Sequence, residues 1–171
     1  MKASICSARE SDWGEVAAIF NEYVRDSFAA YPEEPVDASF FRQKAAASPS
    51  HPFVVAEAEG RVAGFAFLAP FHTASSFRHT ATVTYFIRPG HTGRGIGSAF
   101  LSHLEAAGRR LGITILLAHV SSLNGGSLRF HLRHGFKECG RFERVGRKAG
   151  REFDVVWFEK ALSAGEEGTR S

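Results

Sequence analysis

A short run of alternating glycines, set between an apolar segment and an amphipathic one, constrains the fold of this chain more than any other feature. Residues 80–87 are rich in β-branched and aromatic side chains, which predicts a strand. Gly93, Gly95 and Gly97 follow, and residues 98–108 have the apolar spacing of a helix. Glycine lets the backbone approach a ligand closely, and the first turn of a helix presents N–H groups to an anion. The segment therefore predicts a phosphate-binding loop, a phosphorylated cofactor and an enzyme.

The composition is that of a single globular domain that binds small molecules. Of the 171 residues, 44% are hydrophobic and 16 are phenylalanine, which is enough to form a core. A net charge of +3 suits a polyanionic small cofactor as well as nucleic acid, but the sequence has no aromatic and basic motif for RNA. It has no apolar run long enough to cross a bilayer and no signal-peptide pattern. We therefore expect a cytoplasmic protein without nucleic-acid or membrane partners.

The two cysteines do not indicate a disulfide framework or a metal site. Cys6 and Cys139 are far apart in the sequence and match no metal-ligand spacing. We predict that both are buried, reduced thiols and that the protein holds no metal ion.

Hydrophobic periodicity divides the chain into alternating helices and strands. Asp12 and Glu15 form a predicted capping box at the start of a helix that ends at Ser27, and Asp37 is predicted to cap a second, shorter helix. Hairpins are predicted near both ends of the chain, which together with the alternation in the middle indicates an α/β fold with a mixed sheet. The remaining predicted elements are strands 53–58, 62–70 and 80–87, a strand buried on both faces at 113–120, a helix at 127–134, and strands 136–145 and 152–160. Residues 1–162 are predicted to form one domain, and residues 163–171 a disordered tail.

Three-glycine loops occur in several phosphate-binding contexts, and two of them do not fit here. A dinucleotide-binding loop requires an acidic residue about 20 residues further on, whereas position 117 is leucine within an apolar run. A nucleoside triphosphate loop requires lysine before its serine or threonine, and Gly97-Ser98 lacks that lysine. A glycine-rich turn that merely packs is the third alternative.

Downstream residues connect the loop to a known family. The segment Arg94-Gly95-Ile96-Gly97 is followed by a helix, an apolar strand and residues 124–136, which read Asn-Gly-Gly-Ser-Leu-Arg-Phe-His-Leu-Arg-His-Gly-Phe. This arrangement resembles the GNAT family of N-acetyltransferases, and within it the phosphinothricin and methionine-sulfoximine acetyltransferase branch, over about residues 4–162. The resemblance implies a mixed, mostly antiparallel central sheet flanked by helices, with acetyl-CoA as the cofactor.

The same resemblance implies which residues bind the cofactor and act on it. It implies that the loop holds the pyrophosphate of coenzyme A, that the edge of the preceding strand pairs with the pantetheine arm, and that the Ile87 N–H binds the acetyl oxygen. It also implies that His131 protonates the departing thiolate, for which an imidazole of near-neutral pKa is suited. The implied cofactor-binding residues are Tyr85, Phe86, Ile87, Gly93, Arg94, Gly95, Ile96, Gly97, Ser98, Asn124 and Ser127.

The acceptor side is less well defined. Thr82 occupies the position where branch members usually carry a glutamate, and a hydroxyl cannot accept a proton at neutral pH. We predict that Thr82, His72, Arg78 and His79 contact the substrate, with a histidine as the base or Arg78 on a carboxylate. The predicted aromatic residues of the acceptor pocket are Phe28, Tyr31, Phe71 and Phe77.

We therefore predict acetyl transfer from acetyl-CoA to the primary amine of a small molecule, an amino acid or an analogue of the phosphinothricin or methionine-sulfoximine type. The alternatives are acetylation of a polyamine, an aminoglycoside or a protein N-terminus, and a module that binds acyl-CoA without turnover. The resemblance also implies a homodimer.

Overall fold

The computed structural model describes residues 3–162, and within them seven strands form one sheet flanked by helices. The strand order is β1-β2-β3-β4-β5-β7-β6, and β4 with β5 is the one parallel pair of neighbours in this described part of the chain. The α/β fold with a mixed, mostly antiparallel sheet is thus confirmed. The predicted tail at 163–171 lies outside the described residues. The strands are β1 Ser4–Ser7, β2 Phe53–Ala58, β3 Arg61–Pro70, β4 Thr80–Ile87, β5 Ile115–Ser121, β6 Lys137–Lys148 and β7 Arg151–Ala161. The helices are α1 Trp13–Asp26, α2 Ala38–Ala47, α3 Ile96–Arg110 and α4 Gly125–Arg133.

The starts of the first two helices differ from each other in how they are capped. Asp37 caps α2 as predicted, because its carboxylate accepts hydrogen bonds from the backbone N–H groups of Ser39 and Phe40. The predicted capping box of α1 is wrong: Asp12 has helical backbone angles and makes no side-chain cap bond there. A turn of 3-10 helix precedes α1, and the Asp12 carboxylate instead accepts from the Arg9 N–H at 2.8 Å. Helical structure therefore begins at Glu10, one turn earlier than the hydrophobic pattern indicates.

The two faces of the sheet are covered by different helices, and each face has its own apolar core. Helices α3 and α4 pack on one face, against side chains such as Leu116 of β5. Helices α1 and α2 pack on the other face, mainly over β2, β3 and β4. Because these two helices leave β5 uncovered, His119 is exposed while Ala118 and Val120 beside it are buried. The prediction that this strand is buried on both faces is therefore wrong.

Strands β4 and β5 separate partway along their length. They pair only from Thr80 with Ile115 to Thr82 with Leu117, whereas β4 stays paired with β3 as far as Ile87. Residues 83–87 of β4 therefore keep one edge without a strand partner, and a gap opens in the sheet at that point.

Cys6 and Cys139 lie on the two outermost strands, β1 and β6, at opposite edges of the sheet. Both are free thiols, as predicted. The prediction that both are buried is wrong, because Cys139 is exposed on the outer strand and Cys6 is half-buried. Within residues 3–162 no group of three or more metal-ligating side chains comes together, and no helix is long and apolar enough to cross a membrane.

Gly64 of β3 allows α3 to pack closely on the sheet, which predicts a specific cost for enlarging it. A Cβ atom there would lie 2.8 Å from the carbonyl oxygen of Phe86 and 3.1 Å from the Phe100 ring. We expect Gly64→Ala to lower the free energy of unfolding by about 1–3 kcal/mol, as measured by urea denaturation. Gly14→Ala is the control, because a Cβ meets nothing within 4 Å at that helical position, and it should be neutral or stabilising. Equal stability of Gly64→Ala and the wild type would contradict this packing.

Candidate active site

A large cleft opens where β4 and β5 separate. Its volume is about 1020 Å³, which suits a ligand larger than an ordinary metabolite. The glycine loop and the start of α4 line one side, and residues of α1, α2 and the loop between them line the other. The cleft therefore joins both faces of the sheet through the gap between the two strands.

The glycine loop leaves the first turn of α3 open to the cleft. Gly93 and Gly95 have φ values of 73° and 83°, in the left-handed region that favours glycine. Gly95 is the N-cap of α3 and makes no side-chain cap bond, so the first N–H groups of the helix have no internal partner. A Cβ on Gly97 would lie 3.2 Å from the Phe130 ring, so glycine here allows α3 and α4 to approach closely. The result is an anion site at a helix N-terminus, with a second helix start beside it.

Most of the predicted cofactor-binding residues line this cleft. Two do not: Ile96 is buried in the core behind the loop, and the Arg94 side chain is exposed on the loop's other side, beside Glu59. The three glycines of the loop line the cleft, whereas the two larger residues between them face away from it. A charge contact from the Arg94 side chain is thus not provided inside the cleft. The predicted residues that line it are Tyr85, Phe86, Ile87, Gly93, Gly95, Gly97, Ser98, Asn124 and Ser127, together with His131.

The backbone of Ile87 faces the gap between the strands. The Arg88 N–H donates to the Ala63 carbonyl of β3 at 2.8 Å, and successive residues of a strand point their backbone groups to opposite sides. The N–H and C=O of Ile87 therefore point away from β3. The carbonyl accepts from the Tyr23 hydroxyl at 2.5 Å. The Ile87 N–H has the direction that its predicted role requires.

His131 is buried, and both of its ring nitrogens are engaged. Nδ1 lies 2.8 Å from the Ser127 carbonyl, which can only accept, so we assign the proton to Nδ1. Nε2 then accepts from the Tyr85 hydroxyl at 2.5 Å. Burial lowers the pKa of His131 to about 4, so the predicted near-neutral pKa is wrong. At neutral pH the imidazole is uncharged and orients the Tyr85 hydroxyl, whose own pKa is raised by burial.

Two neighbours on the cofactor side were not predicted. Arg133, the last residue of α4, and His134, which follows it, line the cleft. His134 donates through Nδ1 to the Phe130 carbonyl and accepts from Ser98 at 2.9 Å. Near the end of residues 124–136, the family resemblance implied a role for His131 alone, although Arg133 and His134 belong to the same segment. Asn124 is the N-cap of α4, because its side chain accepts from the Ser127 N–H.

The structure does not bring His72, Arg78, His79 or Thr82 into the cleft. The first three are exposed on the loop between β3 and β4, which lies at the opposite end of β4 from the glycine loop. Thr82 precedes the point where the strands separate, and its hydroxyl donates to the Ala69 carbonyl at 3.4 Å. These four residues do not line the cleft of a single chain, which corrects the prediction that they contact the acceptor substrate.

A different set of side chains forms the acceptor side of the cleft. Phe67, Thr84 and His119 line it from β3, β4 and β5, and Phe67 pairs with Thr84. Trp157 of β7 pairs with His119 outside the cleft lining. Tyr31 stacks on the His119 ring with a centroid distance of 5.5 Å. Of the four predicted aromatic residues, Tyr31 lines the cleft, whereas Phe28, Phe71 and Phe77 do not.

The loop that carries Tyr31 is held by a buried lysine from another part of the chain. Lys148, at the end of β6, donates from Nζ to the carbonyls of Ser27 and Ala30, each at 2.8 Å. The N–H of Ala149 in the next turn donates to Glu33. The final hairpin thus fixes the position of Tyr31 in the cleft.

The charges that line the cleft are positive. Among the described residues, Lys44 of α2 and Arg133 of α4 line it, and no aspartate or glutamate does. Lys44 lies on the acceptor side, where its ammonium group is 5.6 Å from the centre of the Phe67 ring. Sequence reasoning missed Lys44 and His119: the first is one of several charges on a helix, and the second is a lone polar residue in an apolar run.

Comparison with known proteins agrees with this geometry. Residues 16–136 match the acetyltransferase (GNAT) family. An L-amino acid N-acyltransferase of Escherichia coli K12 is 31% identical over 93% of this chain and 94% of its own length. A methionine sulfoximine and methionine sulfone acetyltransferase of Pseudomonas paraeruginosa is 32% identical over 95% of this chain and 96% of its own. A phosphinothricin acetyltransferase of Sinorhizobium meliloti, solved in complex with acetyl-CoA, is 26% identical and superposes with a TM-score of 0.90 over 100% of this chain and 94% of its own. The chain is thus a member of the GNAT acetyltransferase family, and an acyltransferase.

Proposed function

We propose that this protein transfers the acetyl group of acetyl-CoA to the primary amine of a small molecule that also carries a carboxylate, an amino acid or an amino-acid analogue. The observation that carries the proposal is the charge of the cleft: a lysine on the acceptor side and no acidic side chain among its described residues. The relatives named above act on amino acids or their analogues, which agrees with this substrate class.

The cofactor side of the cleft fits coenzyme A. The uncapped first turn of α3 suits the pyrophosphate, and the unpaired edge of β4 suits the amides of the pantetheine arm. Arg133 adds a positive charge on the same side. Acetyl-CoA supplies the activated acetyl group, and the Ile87 N–H is the donor for its carbonyl oxygen. The Tyr85 hydroxyl gives its one proton to His131, so we assign the proton that reaches the thiolate to the acceptor amine.

The acceptor side favours a carboxylate over a polycation. Lys44 would pair with a carboxylate, and it would repel the additional ammonium groups of a polyamine or an aminoglycoside. A charge-assisted hydrogen bond of this kind contributes about 1.5–3 kcal/mol, which is more than tenfold in affinity. The charge of the cleft therefore supports the amino-acid class over the polycationic alternatives.

A thiol-release assay with acetyl-CoA tests the substrate class. We expect turnover with amino acids, methionine sulfoximine or phosphinothricin, and kcat/KM values at least about tenfold lower with polyamines. Lys44→Met should lower kcat/KM for the carboxylate-bearing amines about tenfold. Arg42→Met is the matched control on the same helix, outside the cleft, and should change kcat/KM little. A preference for polyamines would contradict the substrate class, and tight binding of acetyl-CoA without turnover of any amine would favour a binding module.

Calorimetric titration with coenzyme A tests the phosphate site. Gly95→Val places a β-branched residue at a φ of 83°, which costs about 1–3 kcal/mol and disturbs the start of α3. We expect the Kd for coenzyme A to rise about tenfold or more. Gly90→Ala is the control in the preceding turn, where a Cβ meets nothing within 4 Å and φ is not positive. An unchanged Kd for Gly95→Val would remove the loop from the cofactor site.

A homodimer is part of the same proposal, as is a cytoplasmic location. The surface that supports self-association is the outer strand β6, where Phe142 and Val145 are 58% and 59% exposed. Sedimentation velocity should give twice the mass of one chain for the wild type and one chain for Phe142→Glu. Leu111→Glu, at the exposed end of α3, should leave the dimer intact. A monomeric wild type would contradict the proposed assembly.

A further inference from the structure

We propose that His119 is the general base of this enzyme and that its Nε2 atom removes the proton from the acceptor amine. This inference rests on the proposed N-acetyltransferase function and adds the residue that accepts the proton. Thr82 cannot do so, because it carries only a hydroxyl and is bonded to a backbone carbonyl.

The position of His119 is the first argument. Leu117 is the last residue of β5 that pairs with β4, and its partner is Thr82. His119 is two residues further along β5, on the same face of the sheet, and is level with Thr84 across the widening gap. Its ring lines the cleft on the acceptor side, level with the part of β4 that has lost its strand partner.

The hydrogen bonds of the cleft histidines are the second argument. Three histidines line the cleft: His119, His131 and His134. Both ring nitrogens of His131 and of His134 are engaged. For His119 the one hydrogen bond in the described part of the chain joins Nδ1 to the Tyr31 hydroxyl at 3.1 Å. With its proton on Nδ1, His119 donates to Tyr31 and keeps Nε2 as an acceptor for the substrate.

The surroundings of His119 keep it uncharged and fix its orientation. The ring is accessible from the cleft but enclosed by Tyr31 and by Trp157, whose ring centroid is 5.0 Å away. His119 is exposed to the cleft but shielded there from bulk water, and this desolvation lowers its pKa; the positive charge of Lys44 lowers it further. The titratable groups that face it are Tyr31, whose own pKa burial raises to about 12, and Lys44. A neutral imidazole beside a neutral phenol is ready to accept a proton at physiological pH.

The proton and electron balance of the step is complete without a further reactant. The amine arrives as an ammonium ion and gives one proton to Nε2 of His119. The freed lone pair forms the N–C bond with the thioester carbonyl carbon. The C–S bond then breaks with its electron pair on sulfur, which takes up the second nitrogen proton. The imidazolium returns its proton to solvent, so one amide, one thiol and one proton are formed.

Kinetics of His119 variants test the role with whichever amine the thiol-release assay identifies. We expect His119→Gln to lower kcat about 100-fold, since general base catalysis contributes at least about that factor, and to leave the Kd for coenzyme A within about twofold of the wild type. The acidic limb of the wild-type profile of kcat against pH should disappear. His119→Ala should regain part of its activity when imidazole is added. His72→Gln, which changes a histidine outside the cleft, is the matched control and should behave as the wild type.

The outcomes separate this inference from the proposed function. If the wild type acetylates an amine and His119→Gln keeps its kcat and pH profile, the function stands and the role of His119 is overturned. If His119→Gln loses affinity for coenzyme A as well, and imidazole restores nothing to His119→Ala, the residue is structural and the inference is again overturned. If the wild type acetylates no amine, the proposed function fails and the inference fails with it.

Discussion

The separation of β4 from β5 is the constraint on which the rest of this structure depends. The two strands pair over three positions and then diverge, while β4 remains paired with β3. Backbone amides that would otherwise be satisfied inside the sheet become available to a ligand, and a cleft of about 1020 Å³ passes between the faces. Parallel neighbours suit such a site, because both strands end near helix N-termini, here those of α3 and α4.

The two faces of the sheet line the cleft with different groups. On the side of α3 and α4, backbone groups of the glycine loop and the buried pair of Tyr85 and His131 suit the cofactor. On the side of α1 and α2, Lys44 and His119 suit the acceptor. Burial acts on both histidines in the same direction, since it disfavours the charged imidazole. What differs is hydrogen bonding: His131 has both ring nitrogens engaged, whereas among the described residues His119 has a partner at Nδ1 alone.

The sequence was a good guide to local structure and a poor one to the acceptor site, for physical reasons. Hydrophobic periodicity and turn residues predicted β4 and the hairpins correctly, because both signals come from residues close together in the sequence. The glycine loop and residues 124–136 located most of the cofactor side, because backbone sites depend on chain geometry more than on side-chain identity. His119 and Lys44 could not be predicted in this way, since they line the same cleft only because α1 and α2 leave β5 uncovered. The loop at residues 72–79 was predicted to contact the substrate because it contains histidines and an arginine. The topology places it at the opposite end of β4 from the glycine loop.

The two apolar cores described above have a consequence for how this protein can diversify. Lys44 and Tyr31 lie beside the core that α1 and α2 form. The glycine loop leads into α3, which packs on the other core. The sheet lies between the two cores, so most substitutions in one act on the other only indirectly, and distant sites contribute to stability almost additively. Side chains on the α1 and α2 side of the cleft can therefore change while the glycine loop is preserved. Such a chain can acquire a new substrate through a few mutations and keep its reaction.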